Sequence, residues 1–265
     1  MGAKIILLAG IVSLLLAEPR YLPLSPGENP VYRHLRSLGE QLAPSMEERA
    51  VLKEIFIPLG WGDERRFAYL TLPPNEARDC PWATLTIQDL STDRTLLRKE
   101  YTLCPDPGEK DPDDPLSLLR RVDRKYQGAI DSLLFRHEIH TADRLTLRPF
   151  PIDSRQGPIR YRLSTCRRNE PDLVPDELFI SRWRLELERT LHRSVFRSKT
   201  LHTQKYTDYS GLYELGILGY YLSPKGTRAA LLIGKLQRGW EGPPSTLEYQ
   251  VIGASLEKGW KTGSR

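Results

Sequence analysis

The sequence predicts a mainly β protein, an antiparallel β domain with one covering amphipathic helix and short N-terminal helices. Three observations predict it. Phe179, Ser181, Trp183, Leu185 and Leu187 alternate with Arg182, Arg184, Glu186 and Glu188, the period-two pattern of a strand with one buried and one wet face. Leu119, Val122, Tyr126, Ile130 and Leu133 recur at steps of three and four, the pattern of a helix with one apolar stripe. Two short segments also echo each other about 160 residues apart, GWGDERRFAYL from Gly60 and GYYLSPKGTRAALL from Gly219.

The chain opens with Lys4 as its only charge before Glu18 and an apolar run from Ile5 to Ala17. That run suits the core of a secretory signal and is short for a membrane span, so residues 1–17 are expected to be a cleaved signal peptide. Removing them takes Lys4 and lowers the net charge from +5 to +4. Residues 18–55 read as an N-terminal helical segment. Asn29-Pro30 opens one helix, with Pro in a favoured first position and Val31, Leu35, Leu38 and Leu42 at helical spacing. Ser45-Met46-Glu47-Glu48 reads as a capping box for a second helix running towards Ile55.

From Phe56 to about residue 255 the pattern is β. Phe67 to Leu72 reads as a strand ended by Pro73-Pro74. Asp106 to Pro115 is a loop rich in Pro and Asp, with Asp114 placed to cap a helix from about 115 to 136. Tyr209–Leu222, Arg228–Lys235 and Thr246–Ala254 supply further strands, and residues 256–265 read as a loose tail. Three Cys are present. Cys80 and Cys104 are equidistant from Thr92, inside the turn-forming Ser91-Thr92-Asp93, so a hairpin centred there sets the two thiols opposite each other. In an oxidising compartment they are expected to form a disulfide, leaving Cys166 unpaired.

In both echoes a turn separates two short strands, and the second strand carries Arg followed by small or aromatic apolar residues. Ser223-Pro224-Lys225-Gly226 has the Pro and Gly placement of a tight turn, whereas Gly62-Asp63-Glu64-Arg65 is a weaker version. SPKGTRAAL, Ser223 to Leu231, resembles the S-P-D-G-x-x-[IL]-A-[FY] hairpin of β-propeller blades in the family of the periplasmic protein that partners the Tol–Pal system. WGDERRFAY, from Trp61, is a degraded form of it. The resemblance implies propeller-blade-like sheets in which the echoes are equivalent hairpins. A looser resemblance, carried by the signal, LGWGDERRFAYL and LSPKGTRAALLIGKLQRGWEGPPSTLEYQVIGASL, is to a family of predicted secreted bacterial proteins without assigned function.

A mildly basic exported chain is drawn to acidic envelope polymers or anionic headgroups, so the expected partner is a protein or an acidic cell-envelope component, with no nucleic acid and no membrane-spanning segment in residues 18–265. Trp61, Arg238, Trp240 and Glu241 are the expected contact residues, since Trp and Arg dominate binding hot spots. The loop Arg238 to Pro244 is read as the most distinctive irregular segment. No G-x-S-x-G elbow or Gly-rich phosphate loop is present, no cofactor is expected, and Glu186 with Glu188 or Asp111, Asp113 and Asp114 make no convincing acid–base pair. His137 and His140 lack the spacing of a zinc helix, but with Asp143 they are the weak metal alternative. Two functions follow: an exported, non-enzymatic binding or envelope-associated module, or an envelope hydrolase with a cryptic carboxylate or His site near His137 and His140.

Overall fold

The computed structural model describes residues 23–25, 27–43, 51–74, 80–105, 115–141, 145–154, 156–170, 174–192, 195–239 and 242–264. The expected signal peptide, Asp143 and the acids Asp111, Asp113 and Asp114 lie outside these. The first helix, α1, is Pro30–Leu42. Asn29 is extended, and its Oδ1 accepts from the Val31 and Tyr32 amides at 3.0 and 3.2 Å, satisfying donors that have no partner within the helix. Its Nδ2 donates to the Leu218 carbonyl at 2.6 Å, so the cap also anchors α1 to a strand nearly 190 residues away.

The expected second helix does not reach Ile55. Residues 44–50 lie outside the described set, and the chain is already strand at β1 (Leu52–Lys53) and β2 (Ile55–Gly62). Phe56 faces one core and Ile57 the other, an alternation that strand backbone supplies. There follow β3 (Arg66–Leu72), β4 (Trp82–Asp89), β5 (Arg94–Thr102), the helix α2 (Pro115–Arg136) and β6 (His140–Thr141). Then come β7 (Ile159–Glu170), β8 (Val174–His192), β9 (Val195–Lys205), β10 (Leu212–Leu222), β11 (Arg228–Gly239), β12 (Gly242–Ser255) and β13 (Lys261–Ser264).

The chain is mainly β, as its alternating patterns predict, and its described strands form three sheets. Their orders are β5-β4-β3-β2-β6, β1-β12-β11-β10 and β13-β9-β8-β7, antiparallel except for the short β1–β12 pair. Three apolar cores join them in series. The stripe of α2 (Leu119, Val122, Ile130, Leu134) packs on one face of the five-stranded sheet. The other face, with Phe56, Trp61 and Phe67, meets β10–β12 and α1. Trp183, Leu185 and Leu187 of β8 close the opposite face of β10–β12. The β10–β12 sheet is therefore buried on both sides. This is why Ala229 to Ile233 reads as an unbroken apolar run: Ala230 and Leu232 face one core and Ala229, Leu231 and Ile233 the other.

The alternation on β8 breaks at Ser181, where the β7–β8 register shifts between Cys166 and Arg167. The bulge turns Phe179 away from Trp183 and onto Tyr213, with ring centroids 5.0 Å apart, and sends Ile180 into the Trp183 core instead. The loose tail is also overturned. Residues 261–264 pair with β9, and Trp260 lies over Arg189 and Lys199. The expected loop from Arg238 to Pro244 is strand at 238–239 and 242–244, with Gly239 opposite Gly242, while Trp240 and Glu241 lie outside the described residues. Cys80 and Cys104 form the predicted disulfide, and Cys166 is free and exposed.

Because β1 covers only Thr246 and Leu247 of β12, the rest of that strand edge is completed by groups from the neighbouring sheet. The Glu54 amide donates to the Leu247 carbonyl at 3.0 Å, and Glu54 Oε2 accepts from the Tyr249 amide at 2.8 Å. Gln88 Nε2 donates to the Val251 carbonyl at 3.2 Å, and Asp93 Oδ1 accepts from the Gly253 amide at 2.6 Å. Three side chains thus stand in for the missing neighbour strand.

Candidate functional site

The two echoes meet in space. In the first, the turn between β2 and β3 places Asp63 at φ +51°, and Asp63 Oδ1 accepts from the Arg65 amide at 2.8 Å. The left-handed position is therefore taken by Asp63, a residue type that tolerates it, and not by Arg65. In the second, Gly226 has φ +71° and its amide donates to the Ser223 carbonyl at 2.9 Å, as the sequence predicts. Tyr69 and Leu231 lie on inner strands of their sheets. Gly226→Val should lower stability by about 1–2 kcal/mol, because a β-branched residue adopts this conformation only with strain. Arg65→Gly should be near neutral. Thermal melts of the two variants check the pair, and equal shifts would remove the distinction between the turns.

At the tip of the first turn, Glu64 inserts into the second. Its carboxylate accepts from Ser223 Oγ at 2.5 Å, Thr227 Oγ1 at 2.8 Å and the Lys225 amide at 2.8 Å. Ser223 Oγ in turn accepts from the Arg228 amide at 3.0 Å. Partial burial pushes the Glu64 carboxyl up, but the donors on Ser223, Lys225 and Thr227 outweigh it and hold the group below its usual range. The sequence carried a signal for this latch that alignment of the echoes hid: an acid at one turn tip faces Ser and Thr at the other.

Arg66 has two acidic partners. Its Nη2 meets Glu138 Oε2 at 2.7 Å and Asp63 Oδ2 at 3.4 Å, while Nη1 donates to the His137 carbonyl at 2.7 Å. The partner was hidden because Glu138 lies 72 positions away, in the tight turn after α2, where it has φ +54°. His140 belongs to β6 and pairs through its backbone with Trp61. Among the described residues no group of three His, Cys, Asp or Glu side chains stands close enough to hold a metal ion. Glu186 and Glu188 are taken up by Arg184 and Arg162, each at 2.6 Å.

Between the latched turns, the end of α2 and β6 lies a groove of about 1410 Å³. Trp61, Ile139, Leu145 and Leu222 give it an apolar floor, and Phe135, 83% exposed, forms one lip. Arg136, Lys225, Arg228 and Lys258 line it with no acidic partner among the described residues. Asp63 and Glu138 are already answered by Arg66. Glu64 and Glu257 also line the groove, so four cations stand against two carboxylates and the net free charge is positive, over a surface suited to apolar contact.

Of the expected contact residues, Trp61 lines this groove, though from a strand and not a loop. It is only 3% exposed, and its ring centroid lies 4.9 Å from that of Phe67. Arg238 stands at the far end of β11, about 33 Å along the strand from Arg228 at about 3.3 Å per residue. There it faces Glu177 at 3.8 Å, and Glu177 also accepts from the Tyr213 hydroxyl at 2.6 Å. Trp61 and Arg238 are thus not brought together, and Trp240 and Glu241 lie outside the described residues. Sequence reasoning missed Phe135, Arg136, Lys225 and Lys258, which share no motif and converge only in the fold. Comparison with protein-family models, with curated proteins and with solved structures finds no match for this chain.

Proposed function

We propose that the chain is an exported, non-enzymatic binding module of the cell envelope, and that the groove between the latched turns is its contact surface for an acidic partner. The observation that carries this reading is the set of four cations without acidic partners around an apolar floor and an exposed Phe135. Surface charge of one sign raises association rates and selects complementary partners, and a solvent-facing Phe at the lip supplies apolar area to bury. The Cys80–Cys104 disulfide fits an oxidising compartment, and among the described residues no helix is long and apolar enough to cross a membrane. The two hairpins are read as equivalent blade-like units, as the Tol–Pal-partner resemblance implies, and their contact through Glu64 supports that pairing.

The reading is tested by placing a photoreactive residue at position 135 and, as a control, at Leu116, which is also exposed but about 28 Å away along α2. Envelope material should be captured from position 135 and not from 116, and capture should fall in 1 M salt. Equal capture from both positions would sink the assignment of the groove.

A further inference from the structure

We propose that the inner face of the β7–β9 sheet holds a binding site for a phosphoryl anion, built by Arg189, Arg197 and Lys199 and approached by Arg228. Arg189 lies directly opposite Arg197 in the β8–β9 register, and Lys199 opposite Leu187, two residues along the same face. Arg189 is 2% exposed and Lys199 7%. Both cations lie against the Trp260 ring, at 4.4 and 4.7 Å from its centroid. Their hydrogen bonds all go to neutral acceptors. Arg189 donates to Gln156 Oε1 at 2.5 Å and to the Leu256 carbonyl at 2.8 Å, and Lys199 to the Lys258 carbonyl at 3.1 Å. Arg189 Nε is buried with no hydrogen-bond partner.

Among the described residues no carboxylate pairs with any of these four cations. Like charges directly opposite on a sheet repel, and buried charges are ordinarily paired. Burial, Arg189 and Arg228 push the Lys199 amine down to about 8. A folded chain that gathers cations on an inner face without an acid is complementary to an anion from outside. Several cations in one place favour a group carrying more than one negative charge and several acceptor oxygens, which is phosphoryl chemistry, free or on a lipid headgroup. Arg228 and Lys258, whose carbonyl accepts from Lys199, also line the groove, so the groove borders the site. It stands whether or not the groove holds a partner.

The test uses residues 18–265 with inorganic phosphate, against chloride at matched ionic strength, read by calorimetry, melting temperature and tryptophan fluorescence. A second arm uses phosphatidylcholine vesicles with and without phosphatidic acid. Binding of inorganic phosphate identifies a site for the free ion; a response to phosphatidic acid vesicles alone identifies a headgroup site; no response to either overturns the proposal. Lys199→Met should melt at or above the wild-type temperature without phosphate, since an uncompensated buried charge is removed, and should weaken phosphate binding about tenfold or more. Lys99→Ala, exposed on the edge strand β5 and outside both the groove and the site, should keep the full response. An undiminished response in Lys199→Met, or in Arg197→Gln should the first variant not fold, overturns the proposal.

Discussion

Replacing Gly253 with Ala is expected to lower the melting temperature by about 10 °C or more, at a cost of about 3–5 kcal/mol. A Cβ at this position would lie 2.0 Å from the Leu90 carbonyl oxygen and 2.6 Å from the Leu90 carbon atoms. All of these are backbone, so no side-chain rotation relieves the overlap. The strand or the turn must move, and either movement loosens the Asp93 bond to the Gly253 amide and the Gln88 bond to Val251. Gly128→Ala is the matched control, because its added methyl meets nothing within 4 Å on a helix and should stabilise by about 1 kcal/mol. Circular dichroism melts decide it. A shift of less than a degree in Gly253→Ala would mean that the turn after β4 does not sit against β12.

The second expected result is a stability optimum in mild acid. Burial pushes the Glu54 carboxyl up from 4.5 to about 7, against the Tyr249 amide that lowers it, with Glu248 raising and Thr71 and Lys235 lowering it further. Burial likewise pushes Asp93 from 3.8 to about 6, opposed by the Gly253 amide and Gln88. Both folded values lie above the unfolded ones. The stability they contribute is full below about pH 4 and is lost as the pH rises from there through 6 and 7, by about 3 kcal/mol for each group at pH 8. Asp63, Glu64 and Asp89 are held below their usual range, so their contribution is lost in the opposite direction, as the pH falls below about 4. Denaturant unfolding should therefore give its highest stability near about pH 4, with a fall on either side. Glu54→Gln should flatten the decline between pH 5 and 8 and be more stable than the wild type at pH 8. A Glu54→Gln profile parallel to the wild type would remove Glu54 as the cause.

The elements that the sequence made legible are those written in local chemistry. Asn29-Pro30 specifies a capped start wherever the helix later packs, and the stripe from Leu119 to Leu133 needs only one apolar neighbour to be read correctly. The Cys80–Cys104 pair was readable because the two residues flank one hairpin symmetrically. What escaped depends on partners from far along the chain. Ser181 shifts the phase of β8 only because β7 has its own register, and Trp260 is held by cations on β8 and β9. The groove is a stronger case still. Trp61 was singled out, but the cations beside it come from a helix end, a turn tip and a late loop, and no pattern in one segment announces that convergence.

The side-chain completion of the β12 edge has a consequence for the order in which the chain can fold. Asp93 reaches Gly253 across 160 positions, Glu54 reaches Tyr249 across 195, and Glu64 reaches Ser223 across 159. Each contact joins an early segment to one of the last strands to be synthesised. Contacts of such long range are reached late, because the chain between them must lose its freedom before they return any energy. Until β10–β12 are present, the first half of the protein has a bare sheet face and no anchor for α1. The core between α2 and the five-stranded sheet draws only on residues 55–139, so it can close first, while the second and third cores wait for the C-terminal strands.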